Sequence, residues 1–268
     1  MTDTRSTAGT WSLPTSRRLL VRRVRDLLRV TLADSQGDMF PEGRMAGEAE
    51  LMGEFTAPRD AVREALSLLA DEGLVKRRRG MGTFRTDDSF SINVGLPPDG
   101  EPLVTQFDDH DRLSLRLLEW VWVPAPAAVV QRLDGVVEGD DCLCIDYVLL
   151  RNDSPVCVIT NYLRRQEGRS LSPADFAEDF YSMLDRSGSS IQSQDIVLQP
   201  RLADTEVSAL LDIEVGDAIM WMEQVIRDVN GVAIDFAIVH MHPELRVGIP
   251  GMPRTGLSNI ATLQRVNQ

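Results

Sequence analysis

Glu48-Ala-Glu-Leu-Met-Gly-Glu-Phe-Thr-Ala-Pro-Arg-Asp-Ala-Val-Arg-Glu-Ala-Leu66, carried on through Asp71-Glu-Gly-Leu-Val-Lys-Arg-Arg-Arg-Gly-Met-Gly-Thr-Phe84, is the stretch that decides how the N-terminal part of the chain folds. Its first segment predicts a short helix over Glu48–Phe55, with Ala49, Leu51, Met52 and Phe55 as apolar positions. Thr56-Ala57-Pro58 breaks that pattern. Proline suits the first position of a new helix, where its missing N–H costs nothing. A longer helix is therefore expected from Pro58 to Asp71. In it Val62, Ala65, Leu66 and Leu69 face inward at helical spacing. Arg59, Asp60 and Arg63 are left outward near its N-terminal end, where a recognition helix meets base edges and phosphates. Gly73 supplies the stop.

Leu74 to Phe84 reads as two short extended runs around a glycine-rich turn, a β-hairpin. Lys76, Arg77, Arg78 and Arg79 precede the turn, and Gly80 and Gly82 let a backbone come close. A cationic hairpin of this kind is a wing that tracks phosphates or enters a minor groove. Upstream, residues 16–34 predict a helix with Leu20, Val24, Leu27, Leu28 and Thr31 on one face. Arg18, Arg22, Arg25 and Arg29 line another face. Each feature is weak by itself, but their order within about 70 residues defines a winged helix-turn-helix. The expected DNA contacts are Arg59, Asp60, Arg63, Arg77, Arg78, Arg79, Gly80, Gly82 and Thr83.

The whole chain has 268 residues and a net charge of −13, which looks wrong for a DNA binder until it is mapped. Residues 1–86 hold 15 Arg/Lys against 12 Asp/Glu, whereas residues 87–268 hold 13 against 29. The acidic excess belongs to the second region, and DNA contact must come from a local basic surface in the first. No run approaches the ~18 apolar residues of a membrane span. Met1 to Thr10 has no signal-peptide core, so a cytoplasmic location without membrane contact is expected. Cys142, Cys144 and Cys157 are too few and oddly spaced for a disulfide framework or a zinc site, and read as buried thiols. His240-x-His242 invites a metal, with His110 or Asp235 as a third ligand, yet nothing else has ligand spacing. No metal or cofactor is expected.

Residues 1–15 read as a flexible N-terminus, 16–86 as the DNA-binding domain and 87–111 as an acidic linker. Phe90–Val94 has strand character within that linker. Residues 112–250 form a second domain, and 251–268 a tail. The second domain carries an internal repeat. Leu133-Asp134 and Gly139-Asp140 precede the extended run Cys142–Leu150. Leu211-Asp212 and Gly216-Asp217 precede Ile219–Ile226, at an offset of 77 from Gly139 to Gly216. Two similar helix-plus-β-hairpin units in one antiparallel sheet are inferred. Between them Ala174–Arg186 reads as a helix, with Phe176, Phe180, Met183 and Leu184 on one face. The fold class is α+β.

The Glu48–Leu66 and Asp71–Phe84 segments resemble the DNA-binding domain of the GntR family. Arg59-x-x-Val62-Arg63-Glu64-Ala65-Leu66 and Gly80-x-Gly82-Thr83-Phe84 are the specific parts. The second region, in its length and order of elements, resembles the HutC subfamily, whose sensor is the UTRA domain, an antiparallel-sheet fold shared with chorismate lyase. The resemblance covers most of residues 16–247. It implies a homodimer, a double-stranded operator, a small-molecule effector and most often repression. Departures are visible. Met45-Ala46-Gly47-Glu48-Ala49 stands where relatives carry Leu-Pro-Ser-Glu-Arg, and Pro58 replaces a serine that would cap the recognition helix. Asp60 stands where a small polar residue is usual.

In relatives that sense sugar phosphates, an Arg-x-Arg pair and a Ser-x-Tyr grip the anion. The matching positions here are Tyr147-Val-Leu149 and Asp179-Phe-Tyr181, so that only Tyr181 remains. An anion beside Asp179 is repelled unless that acid is neutralised. The expected effector is neutral or cationic, with Tyr147, Leu149, Asp179, Tyr181 and Asp235 as contacts; Arg151, two residues beyond the expected pair, could rescue anion binding if the register slips. An enzyme is the competing class, but no nucleophile–base pair, metal motif or phosphate loop supports it. An effector-blind dimer is the third reading.

Overall fold

The computed structural model describes residues 17–33, 44–86, 90–93, 112–176, 180–186 and 188–248. Asp179, His110, the first 16 residues, the tail from Gly251 and most of the expected linker lie outside them. The chain divides into two compact units, Met1–Ser89 and Phe90–Gln268.

The first unit is built on α1 (Arg17–Ala33), α2 (Glu48–Glu54) and α3 (Arg59–Asp71), followed by a hairpin of β1 (Val75–Arg78) and β2 (Gly82–Arg85). Its core gathers Val21, Val24, Leu28 and Leu32 of α1 against Leu51, Ala61, Val62, Ala65, Leu66, Leu69 and Val75. The stripe buried by α1 is therefore not the expected one. Leu27 is 51% exposed, and Val21 and Leu32 take the inward places. Two overlapping stripes share Val24 and Leu28, and packing against α3 selects the one whose neighbours are Val21 and Leu32. The arginine stripe of α1 is divided as well: Arg25 and Arg29 pair with Asp26 and Glu72. Pro58 is the N-cap of α3 rather than its first residue, with extended φ −68° and ψ 153°. Glu50 closes the start of α2 by accepting from the Gly47 N–H at 2.7 Å.

The second unit is a six-stranded antiparallel sheet of β4 (Leu113–Pro124), β5 (Asp141–Arg151), β6 (Ser154–Leu163), β7 (Ile191–Leu202), β8 (Ala218–Asp228) and β9 (Ala233–Met241). Its order is β4-β5-β6-β9-β8-β7. The repeat expected as helix-plus-hairpin is larger: each unit opens with a long edge strand. One unit is β4, α4 (Ala127–Val130), β5 and β6; the other is β7, α7 (Thr205–Leu211), β8 and β9. The two units meet at β6 and β9. The matching turns are held alike. Ala125 and Ala203 donate to the carbonyls of Asp140 and Asp217, and Gly139 and Gly216 donate back to Ala125 and Ala203. Both glycines have φ near +90°, at 89° and 93°, which a side chain would strain.

Helices α4 and α7, with the turn after α4, cover one face through Val129, Leu133, Val207 and Leu211. The other face is covered by Phe176, Phe180, Met183 and Leu184, packed on Leu143, Ile145, Tyr147, Leu163 and Ile226. That covering segment was expected as one helix over Ala174–Arg186. The described parts are α5 (Arg165–Gly168), a 3-10 turn at Pro173–Asp175 and α6 (Phe180–Arg186). Within the expected linker, β3 (Phe90–Asn93) pairs in parallel with β10 (Leu245–Gly248).

Candidate functional site

Two sites emerge, one in each unit. In the first, α3 places Arg59 and Arg63 one turn apart with side chains 64% and 61% exposed. Both face Glu48 at the start of α2. Its carboxylate lies 3.7 Å from Arg59 Nε and 3.5 Å from Arg63 Nε. The acids of the same helix are held from the other side: Arg17 Nε donates to Asp60 at 3.1 Å, and Arg17 also pairs with Glu64. The Arg17 hydrogen bond is the main reason the Asp60 carboxyl sits below its ordinary range. Arg17 occupies Asp60 Oδ2, so a contact from Asp60 to a base would use Oδ1 or displace Arg17.

The wing is tied to this helix. Arg77 Nη2 donates to the Arg63 carbonyl at 3.2 Å. The Arg78 guanidinium lies 4.9 Å from the centre of the Phe84 ring, a cation–π contact that sets it against its own hairpin. Arg79 and Gly80 are exposed at the turn. Gly80 needs its φ of 75°. Gly82 has φ 115°, which a side chain would strain, and a Cβ there would lie 3.1 Å from Arg44 Nε, the yielding end of an exposed side chain. Thr83 accepts the Met45 N–H at 2.8 Å, and Arg44 bridges to Phe84. The reading of the sequence missed Arg17, Arg44 and Glu48, because nothing in their local spacing signals a partner 11 to 47 positions away. Arg59, Arg63 and the Lys76–Arg79 run share one small unit, so the arrangement offers forked donors and point charges suited to base edges and phosphates.

In the second unit the candidate effector residues lie on the face beneath α6. Tyr147 is 4% exposed and packs edge-on to Phe176, ring centres 4.7 Å apart, with Phe180 at 6.4 Å. Leu149 is half-buried opposite Cys157, and Arg151 closes the strand opposite Ser154 and Leu113. Tyr181 Oη accepts from Gln224 Nε2 at 2.8 Å, and the same amide donates to Gln194. Asp235, expected as a ligand contact, is fully buried, and Asn161 Nδ2 donates to both of its oxygens at 3.0 Å. Burial holds its carboxyl well above the usual range, and the Asn161 bonds draw it part of the way back.

The register orders these groups in rows. Leu163, Asp235 and Ile226 lie opposite one another across β6, β9 and β8; Asn161, Ala237 and Gln224 form the next row. Two clefts lie elsewhere. One, of about 500 Å³, is acidic and includes Asp212, Glu214, Asp217 and Glu244. The other, of about 400 Å³, lies between Trp122, Arg165 and Arg169. Among the described residues no three His, Cys, Asp or Glu side chains converge to hold a metal, His240 and His242 included. The three thiols are buried and free, and burial pushes those of Cys144 and Cys157 up to about 12.

A winged helix-turn-helix with paired arginines on its recognition helix, joined to an antiparallel sheet with helices on both faces, defines a DNA-binding regulator with a separate sensor domain. Comparison with known proteins supplies the family. Residues 20–84 match the gntR family of bacterial regulatory proteins, and residues 109–245 match the UTRA domain. The chain belongs to the GntR-family transcriptional regulators that carry a UTRA domain. It is 27% identical over 225 residues to the HTH-type transcriptional regulator Rv0792c of Mycobacterium tuberculosis, covering 80% of this chain and 79% of that one. It is 25% identical over 206 residues to the HTH-type transcriptional repressor NagR of Bacillus subtilis, covering 75% and 82%. The solved structure of PhnF from Mycobacterium smegmatis superposes with a TM-score of 0.58 at 22% identity, over 86% of this chain and 99% of that one. That likeness extends the shared fold across both units. The family is one of regulators, and the enzyme reading falls with it. Among the described residues no helix is long and apolar enough to cross a membrane.

Proposed function

We propose that this regulator is a dimeric repressor of the HutC subfamily, released from a palindromic operator by a small molecule that is not a sugar phosphate. The observation that carries the DNA half is the placement of Arg59 and Arg63 side by side on α3, with the wing fastened to that helix through Arg77. Arg79, Gly80, Gly82 and Thr83 belong to the same contact surface, Arg78 contributing its charge from its place on Phe84. Two-fold pairing comes from half-site geometry: one winged unit covers one half-site, and a palindrome requires two. Repression is the role named for the Bacillus subtilis relative.

The effector half rests on the face beneath α6. Tyr147 and Leu149 supply no cation where an anion clamp would need one. Asp235 adds a buried acid to the same face, one that burial keeps toward its neutral form and that a cationic ligand could charge whereas an anionic ligand could not. Tyr181 and Arg151, with Asp179, complete the candidate contacts. Effector binding acts by favouring a spacing of the two winged units that no longer fits the operator, a shift between two existing populations. The effector-blind reading has one observation in its favour, the packing of Tyr147 among Phe176 and Phe180. A release assay separates the two. Labelled promoter DNA bound by the protein is challenged with pools of neutral, cationic and phosphorylated metabolites. Release by a non-phosphorylated pool is expected. Release by sugar phosphates contradicts the effector assignment, and no release by any pool favours the effector-blind form.

A further inference from the structure

Among the described residues nothing positive stands beside the Asp235 carboxyl. It is fully buried, its partner is the Asn161 amide, and no cation contributes to its electrostatic surroundings among the described residues. Its neighbour has a deficit of the same sign. Asn161 is 1% exposed, and its Oδ1 is a buried acceptor without a hydrogen-bond partner among the described residues. Asn161 Oδ1 wants a donor, and Asp235 can hold a charge only beside a cation. A buried acceptor left unmatched is costly, and an ionised carboxylate without a counter-charge costs more. A leucine–leucine pair would fill this place without either cost.

The surroundings add shape. Ala237 lies directly between Asn161 and Gln224 in one cross-strand row. With strands about 4.8 Å apart, the two amides rise from backbones about 10 Å apart, with a single methyl group between them. Asp235 stands two residues along β9 on the same face. Gln224 already connects this row to Tyr181 on α6 and to Gln194 on β7. Acceptors thus stand on two sides of a small-residue floor, beneath a helix that carries a tyrosine hydroxyl.

We propose that the effector of the function argued above carries a cationic nitrogen, an ammonium or amidinium group, which the Asp235 carboxylate neutralises while Asn161 Oδ1 accepts one of its N–H bonds. The inference rests on the effector reading and narrows it from a neutral or cationic molecule to a cationic one. A cation of this kind has several N–H donors on one small head, which matches two acceptors on adjacent rows. A hydroxyl has one donor and no charge, and leaves the acid uncompensated. Tyr181 and the Gln224 amide face the remainder of the molecule.

The test uses the full-length protein and matched probes. Butylamine and 4-guanidinobutylamine are compared with butanol and butyrate by saturation-transfer NMR and by thermal shift. The amines should bind at least ten-fold more tightly than the alcohol, and butyrate should not bind. Asp235→Asn keeps the shape and removes the charge, and should abolish the preference for amines. Equal binding of amines and alcohol by the natural sequence overturns the proposal, and so does an unchanged amine preference in a folded Asp235→Asn protein. The first comparison needs no variant, so a failure of Asp235→Asn to fold leaves the test intact. Operator binding is measured on the same samples. Amine binding without operator binding sinks the repressor reading alone, whereas operator binding without an amine preference sinks this inference alone.

Discussion

Glu48→Gln should make this protein bind DNA more tightly. In the free protein one carboxylate faces both recognition arginines, 3.7 Å from Arg59 Nε and 3.5 Å from Arg63 Nε. DNA must draw those guanidinium groups away from Glu48 before they can meet a phosphate or a guanine edge. Exposed ion pairs contribute about 0.2–1 kcal/mol each, so two of them oppose binding by about 0.4–2 kcal/mol. The arginines are more than 60% exposed and the distances are long, which places the sum toward the low end. At 1.4 kcal/mol per factor of ten, affinity should rise about 2- to 5-fold. The same change removes an acid from the first turn of α2, where charge and helix dipole attract by about 0.3–1 kcal/mol. Stability should therefore fall slightly while affinity rises. Fluorescence anisotropy with labelled operator, between 50 and 200 mM salt, reads the first effect, and calorimetry reads the second. Weaker operator binding by Glu48→Gln would refute the reasoning. It would mean that Glu48 aims the arginines at DNA rather than masking them.

Arg63→Ala should cost on the order of 1–3 kcal/mol of operator affinity if the side chain reads a base, and relax specificity at one position. An unchanged affinity in a competition binding assay would remove it from the interface. Gly168→Ala should lower stability by about 1–3 kcal/mol through overpacking. The new Cβ would lie 2.8 Å from Trp122 Cη2 and 2.9 Å from Leu143 Cβ, and a calorimetric melt identical to the parent would show that this corner is not tightly packed. Asp228 is held below its ordinary range first by the Val232 N–H and then by that of Asn230. A depressed folded-state value means stability that is present above the unfolded value near pH 4 and lost as pH falls through the folded one. Asp228→Ala should therefore lower the melting temperature at neutral pH, and the difference should shrink toward pH 2. A constant difference across that range would assign the effect to something other than the carboxylate.

The winged unit was legible because its signals are local. Val62, Ala65, Leu66 and Leu69 repeat at helical spacing, Pro58 and Gly73 mark the limits of α3, and two glycines among four cations announce the hairpin. Helix α1 shows where locality fails. Two apolar stripes share Val24 and Leu28, and only tertiary packing chooses between them. Strands β4 and β7 were not identified for a related reason. In β4 the alternation slips at Leu118, where the register with β5 shifts between Leu117 and Glu119. In β7, a sheet edge, burial alternates only over Gln194–Leu198, and the apolar Ile196, Val197 and Leu198 there run together, so the sequence itself shows no period of two. The repeat was visible through its turns, because Gly139 and Gly216 need positive φ and each is followed by an aspartate.

The sites divide in the same way. Exposed arginines on a helix that is apolar on its other side can be found by counting. Their counter-charges cannot: Arg17 and Asp60 are 43 positions apart, and Asn161 and Asp235 are 74 apart. Asp235 was singled out among the effector contacts, but its burial and its amide partner depend on the pairing of β6 with β9. The order of strands in the sheet is the information that one-dimensional patterns lack.

Footprinting of the purified protein on the DNA upstream of its own and neighbouring genes, across a salt series, tests the central claim most directly. The account predicts a protected palindrome whose half-sites lie about one helical turn apart, or a multiple of it, and affinity that falls steeply with salt as phosphate contacts release counterions. A folded protein that protects no sequence even at low salt would contradict it, and so would protection that ignores sequence altogether.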